Sequence, residues 1–181
     1  MPNPTLLGIS GSLRSGSFNR KLLAEAARLF GEANYTEANL NLPLYNGDLE
    51  DAEGIPAAVQ LLSDQIVAAD AVLISTPEYN KGISGVLKNA LDWVSRTKGT
   101  PWSGKPVAIL SATAGRAGGE RAQVMLRNSM VAFRPRILQG PEMFLAETSV
   151  QFDEDGHLKG DLYIKTLTDL MASLRAEVGR G

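Results

Sequence analysis

The stretch TLLGISGSLRSGSFNRKLLAEAARLF, residues 5–30, contains a complete structural unit. Residues 5–9 form an apolar run that ends in small residues, as a strand buried on both faces of a parallel sheet does, and residues 19–30 repeat apolar side chains at helical spacing. Strand, loop and helix therefore follow one another. The same alternation runs outward from this unit. Residues 35–40 predict a weaker strand, 57–69 a helix, and 71–75 (AVLIS) the clearest buried strand. A helix over 86–95, a strand over 106–111 (PVAILS), a helix over 120–133, the start of a fifth strand at 136–138 and a last helix over 162–178 complete the pattern. The polar stretch 151–160 reads as a hairpin or an extended loop.

Five strands alternating with five helices imply a doubly wound α/β fold, with right-handed crossovers covering both faces of a parallel sheet. Five strands fit the flavodoxin-like order 2-1-3-4-5 better than a six-stranded dinucleotide-binding sheet, which usually takes more chain. The length of 181 residues suits one domain, expected to span 1–181.

Composition narrows the chemistry. A net charge of −2, with 21% charged residues, lacks the basic excess of a nucleic-acid binder. The absence of cysteine removes disulfides, thiolate nucleophiles and cysteine-ligated clusters, so any electrons must travel on a bound organic cofactor. The start MPNPTLLGIS has no basic leader, and no run of roughly eighteen apolar residues follows, so no membrane association and a cytoplasmic location are expected. The lone His157 has no second histidine beside it, so no metal site is expected, and the acidic residues 153–156 read as a turn.

The loop at residues 8–20, GISGSLRSGSFNR, is rich in small hydroxyl residues. A monophosphate there would accept hydrogen bonds from amides at a helix amino terminus and from Ser10, Ser12 and Ser17, with Arg14 supplying the compensating charge. A Walker loop needs lysine and then Ser or Thr after its last glycine, whereas Gly16 is followed by Ser17 and Phe18. The GxGxxG fingerprint is also missing, since Gly8 and Gly11 are two residues apart. A plain helix cap with Ser17 or Asn19 as N-cap stays open.

Two further loops leave the carboxyl ends of strands, where ligands of open α/β sheets bind. Thr76-Pro77-Glu78-Tyr79-Asn80 offers a stiff turn, an aromatic face and an amide edge, which suits a flat ring with a polar rim. Ser111 to Gly119, SATAGRAGG, lets backbone approach a planar ligand. A simple turn and a flexible connection remain alternatives for these two. Trp93 lies at helical spacing with Leu87 and Ala90 and is expected in the core.

With these loops in hand, the chain resembles the NAD(P)H-dependent FMN reductase family, which includes quinone and chromate reductases. The likeness spans nearly the whole length and is carried by GSLRSGSFNR (11–20), PEYNKGISGVLKNALDW (77–93) and SATAGRAGGERA (111–122). The resemblance implies non-covalent FMN, with Ser10, Ser12, Leu13, Arg14, Ser17 and Asn19 around the phosphate. It places Pro77, Glu78, Tyr79 and Asn80 beside the ring, with Ser111 and Gly115 closing the pocket. The family often has serine at the position of Gly82 and proline at that of Ser84, so residues 81–84 depart from its pattern. NADPH or NADH would be the co-substrate, its phosphates or an anionic acceptor attracted by Arg96 and Lys81. Arg96 is equally suited to interact with the carboxyl end of its own helix. The acceptor would be a small molecule such as a quinone, free flavin, ferric chelate or chromate, and no catalytic side chain is expected. The resemblance also implies a homodimer or homotetramer, with Arg121 and Glu142 as a charge pair between dimers or as two solvated charges. The other functional class is a flavodoxin-type electron carrier acting on protein partners, against which the modest net charge weighs.

Overall fold

The computed structural model describes residues 2–180. A parallel sheet at its centre is built from β1 (Thr5–Ser10), β2 (Asn34–Ala38), β3 (Ala71–Thr76), β4 (Pro106–Ala112), β5 (Arg136–Ile137) and β6 (Met143–Leu145). Its order is β2-β1-β3-β4-β5, with β6 also pairing with β4. The helices are α1 (Phe18–Phe30), α2 (Gly47–Glu53), α3 (Ala57–Ala68), α4 (Gly85–Val94), α5 (Glu120–Met130) and α6 (Asp161–Glu177).

The central strands are apolar on both sides because both sides are covered. Leu7 and Ile9 of β1, Val72 and Ile74 of β3, and Val107 and Ile109 of β4 pack with Leu62, Ile66, Leu87 and Leu126 from α3, α4 and α5. The alternate residues Leu6, Leu73, Ala108 and Leu110 pack with Leu22, Leu23, Leu170 and Leu174 from α1 and α6. Every residue of β3 and β4 is buried. At the edge, Gly8 leaves space for the Tyr35 ring: a Cβ at Gly8 would lie 2.4 Å from the Tyr35 hydroxyl.

Three elements differ from expectation. Helix α2 buries no residue, so it carries no apolar periodicity; Asn46 starts it by accepting from the Asp48 N–H at 3.0 Å, and Asp48 and Glu50 favour its first turn. Helix α5 gives way to a single 3₁₀ turn at Val131–Phe133, closed by Arg134 in a left-handed conformation (φ 55°) before Pro135. The fifth strand is split: β5 pairs with Pro106 and Val107, β6 with Leu110 to Ala112, and the gap between them includes Pro141, which has no N–H for the ladder. Residues 151–160 form a hairpin, with Phe152 bridged to Leu158 and a turn in which Asp153 accepts from the His157 N–H at 2.8 Å.

Candidate functional site

The carboxyl ends of β1, β3 and β4 open into a cavity of about 370 Å³. The first loop supplies Ser12, Arg14, Gly16, Ser17, Phe18 and Asn19, the loop after β3 supplies Pro77, Glu78 and Tyr79, and the loop after β4 supplies Ala112 to Gly115. Thr148, from the turn after β6, completes the wall.

In the first loop, Ser17 is the N-cap of α1 and accepts from the Asn19 N–H at 3.2 Å, so a cap and a ligand cradle coexist. Ser10 accepts from the Ser12 N–H and Ser12 from the Arg14 N–H, which curls the chain ahead of the helix. The N–H groups of Leu13, Ser15 and Gly16 find no protein acceptor among the described residues. These free donors, the Ser12 hydroxyl, the positive end of α1 and the Arg14 guanidinium fit a phosphate group. Beside Gly16 and Gly115 no atom lies within 4 Å of where a Cβ would be, so both leave backbone open to a ligand.

Asn19 is 3% exposed, and its amide binds the sheet. Nδ2 donates to the Ala112 carbonyl at 2.9 Å, while Oδ1 accepts from the Ala112 N–H at 3.0 Å and from the Ser75 hydroxyl at 2.8 Å. It thereby locks α1 to the ends of β3 and β4.

The loop after β3 turns tightly. Tyr79 and Gly82 exchange both backbone hydrogen bonds at 3.0 Å, with Asn80 (φ 51°) and Lys81 (φ 66°) between them in left-handed conformations. That geometry projects Tyr79, Asn80 and Lys81 to the surface. Glu78 reaches across the cavity, where its Oε2 accepts from the Ala122 N–H at 3.2 Å. It caps α5 from outside, since the N-cap position itself is Gly119, which has no side chain to offer. Ser84, which is 2% exposed, ties this loop to the first: its hydroxyl donates to the Gly11 carbonyl at 2.6 Å and accepts from the Leu87 N–H at 3.2 Å, capping α4.

In the loop after β4, Gly118 (φ 63°) packs so tightly that a Cβ would lie 2.6 Å from Phe144 backbone. Ser111 is fully buried beneath this loop, donating to the Gly118 carbonyl at 2.6 Å and accepting from Gln123 at 2.9 Å. Behind the first loop, Phe152 of the hairpin stacks on Phe18, with centroids 5.9 Å apart, and Lys21 lies over both rings. His157 fixes that hairpin by donating from Nδ1 to buried Glu25 Oε2 at 3.0 Å, and Arg28 binds the same carboxylate at 2.8 and 2.9 Å. Burial pushes the Glu25 carboxyl up, but the hydrogen bonds from Arg28 and His157 and the Arg28 charge outweigh it and hold the group below its ordinary value.

Eight expected residues therefore share the cavity wall: Ser12, Arg14, Ser17, Asn19, Pro77, Glu78, Tyr79 and Gly115. Ser10 and Leu13 line a neighbouring cleft, Asn80 and Lys81 sit on the exposed turn, and Ser111 lies under the wall. Arg96 is outside the cavity; its Nε donates to Glu50 of α2 at 2.9 Å. Arg121 and Glu142 are exposed and do not pair with each other within the chain. Sequence reasoning did not single out Gly16, Phe18, Ala112, Thr113, Ala114 or Thr148; the first five lie inside the loops it had marked, whereas no local motif marks Thr148.

A flavoenzyme NAD(P)H:(acceptor) oxidoreductase from Paracoccus denitrificans superimposes with a TM-score of 0.88 at 31% identity, over 98% of both chains. An NAD(P)H-dependent FMN reductase of Pseudomonas aeruginosa is 45% identical over 97% of this chain and 95% of its own length. A quinone reductase of Escherichia coli is 43% identical over 73% of this chain and 72% of its own. Residues 4–149 match the NADPH-dependent FMN reductase family, and the chain belongs to it.

Proposed function

We propose that the chain binds FMN in this cavity and passes reducing equivalents from NADPH or NADH to small acceptors, quinones among them. The observation that carries this reading is the meeting of the donor-rich first loop with the loops after β3 and β4 in one cavity. The electron-carrier alternative gains nothing from the comparisons, since the relatives at 43% identity and above are reductases.

FMN, when bound, would supply the redox chemistry, taking up reducing equivalents from the nicotinamide and releasing them to the acceptor as electrons or as hydride according to its chemistry. The protein's part is binding and orientation. Ser12, Ser17, Arg14 and the free N–H groups of the first loop hold the phosphate, with Ser10 and Leu13 shaping the loop from behind. Pro77, Glu78, Tyr79 and Gly115 border the ring, while Asn19 and Ser111 keep the surrounding backbone in place. Lys81, on the exposed turn beside Tyr79, attracts anionic co-substrates, and Arg96, paired with Glu50 outside the cavity through its Nε, adds positive charge at that side of the protein.

The chain is also proposed to form a homodimer, a reading supported by exposed apolar side chains on and just after α5, where Val124 is 63%, Met125 41% and Val131 70% accessible. Dimers would pair into tetramers through Arg121 and Glu142. A cytoplasmic setting follows from the need for a pool of reduced nicotinamide nucleotide. The experiment is a visible spectrum of the purified protein and an FMN titration, then nicotinamide oxidation followed with a quinone, free FMN, ferric chelate and chromate as acceptors. Light scattering on the same sample gives the assembly. A colourless protein that takes up no FMN sinks the assignment.

A further inference from the structure

Hairpin 151–160 lies past residues 4–149, the stretch that matches the family, so its part in the site is not one the match supplies. It packs along α1. Phe18, Lys21 and Glu25 are three and four positions apart on that helix and so form one stripe along it. The hairpin meets all three. Phe152 stacks on Phe18 with the ring planes 15° apart, Lys21 Nζ lies 5.6 Å from the Phe18 centroid and 5.8 Å from that of Phe152, and His157 Nδ1 lies 3.0 Å from Glu25 Oε2. The Glu25 side chain is 2% exposed. Within the hairpin, the Asp153 N–H donates to the His157 carbonyl at 2.9 Å and the Lys159 N–H to the Gln151 carbonyl at 3.0 Å, which couples the His157 contact to the Phe152 contact. Leu158 is buried in the core beneath α1 and α6.

The same segment reaches the cavity at two places. Phe18 lines it and opens α1, and the Phe18 N–H, like those of Leu13, Ser15 and Gly16, finds no protein acceptor among the described residues. Thr148 also lines it, four residues before Phe152, and its N–H donates to the Thr113 carbonyl at 3.3 Å. The Gln151 N–H donates to the Thr148 carbonyl at 3.4 Å, which joins that wall to the hairpin.

Resting on the FMN reading, we propose that the hairpin is a strap that keeps the phosphate end of the cavity in shape, with Phe152 and His157 as positioning residues for FMN retention. Neither side chain lines the cavity. Phe152 holds the Phe18 ring, and with it the first turn of α1, whose free N–H groups would meet the phosphate. His157 anchors the strap to Glu25, about two turns further along the helix. Releasing either contact lets the start of α1 shift so that those donors no longer converge, and the cofactor leaves faster.

The test uses wild type, Phe152→Ala, His157→Ala and His157→Gln. Phe152 is only partly buried and the His157 side chain is half exposed, so the variants fold, which urea melts of flavin-free protein check. FMN affinity is measured by fluorescence quenching, and FMN dissociation by the fluorescence released on dilution. Both alanine variants should release FMN about 10-fold faster than wild type, whereas His157→Gln, whose amide still donates to Glu25, should stay within about 3-fold. In flavin-free protein, hydrogen exchange at the bonded amides of Ser17, Asn19 and Lys21 should speed up in the alanine variants, while that of β3 and β4 stays unchanged. A hairpin that only adds stability would lower the urea midpoint and speed exchange within 151–160 alone, with FMN released at the wild-type rate. That result overturns the proposal, and release from His157→Gln as fast as from His157→Ala overturns the role of His157. If wild type takes up no FMN, the cofactor reading fails by itself, and exchange at Ser17, Asn19 and Lys21 still decides whether the hairpin positions the first loop.

Discussion

Replacing Asn19 with alanine separates a structural strut from a phosphate ligand. The amide makes three buried hydrogen bonds, and its loss strands the N–H and C=O of Ala112 and the Ser75 hydroxyl. A stranded buried group costs about 1–3 kcal/mol, and water entering from the adjoining cavity recovers part of that, so Asn19→Ala should destabilise the protein by about 3 kcal/mol. With a urea m-value near 2 kcal/mol/M, the midpoint falls by about 1.5 M. The measurement belongs on flavin-free protein, because bound FMN would add its own linkage to the apparent stability. Asn19→Asp is informative as well: its carboxylate still accepts from Ser75 and the Ala112 N–H, but an oxygen now faces the Ala112 carbonyl, so it should be no more stable than the alanine variant. A loss under about 1 kcal/mol in flavin-free protein, together with a tenfold or greater loss of FMN affinity, would refute the strut and make Asn19 a ligand of the phosphate.

Other perturbations probe neighbouring parts of the site. Arg14→Ala removes the one cation in the cavity wall among the described residues and should weaken FMN binding about 10-fold or more, measured by fluorescence quenching, with the urea midpoint of flavin-free protein nearly unchanged. Ser84→Ala breaks both the α4 cap and the tie to Gly11, and should cost about 1–2 kcal/mol; Ser84→Gly loses the same hydroxyl but costs the helix start only about a few tenths of a kcal/mol, so any FMN affinity it loses mainly reports the tie. Glu25 is held below the ordinary carboxyl value of 4.5, so the unfolded chain binds its proton first and stability falls as the pH drops below that value. Glu25→Gln should be less stable at neutral pH and flatter below pH 4.5 in urea melts; an unchanged acid slope would sink that account.

How much was legible in the sequence depended on where each residue's partners lie. Strands β1, β3 and β4 could be read directly, because burial on both faces makes them continuous apolar runs. Helix α2 buries nothing and so left no periodic trace. The split of the fifth strand is defined by pairing with β4, not by its own residues. In the site, the three loops stood out as contiguous stretches, yet a small polar residue at a strand end serves backbone as readily as ligand. Ser111 and Asn19 turn inward for that reason. Arg96, just past α4, and Glu50, on α2, are 46 positions apart, and only the fold brings them together.

The broken strand beside β4 bears on how copies of this chain can associate. Its two pieces are two and three residues long, too short and too interrupted to serve as a template for another sheet. That margin is thereby guarded against edge-to-edge stacking into fibrils, and self-association on this side is left to helix surfaces.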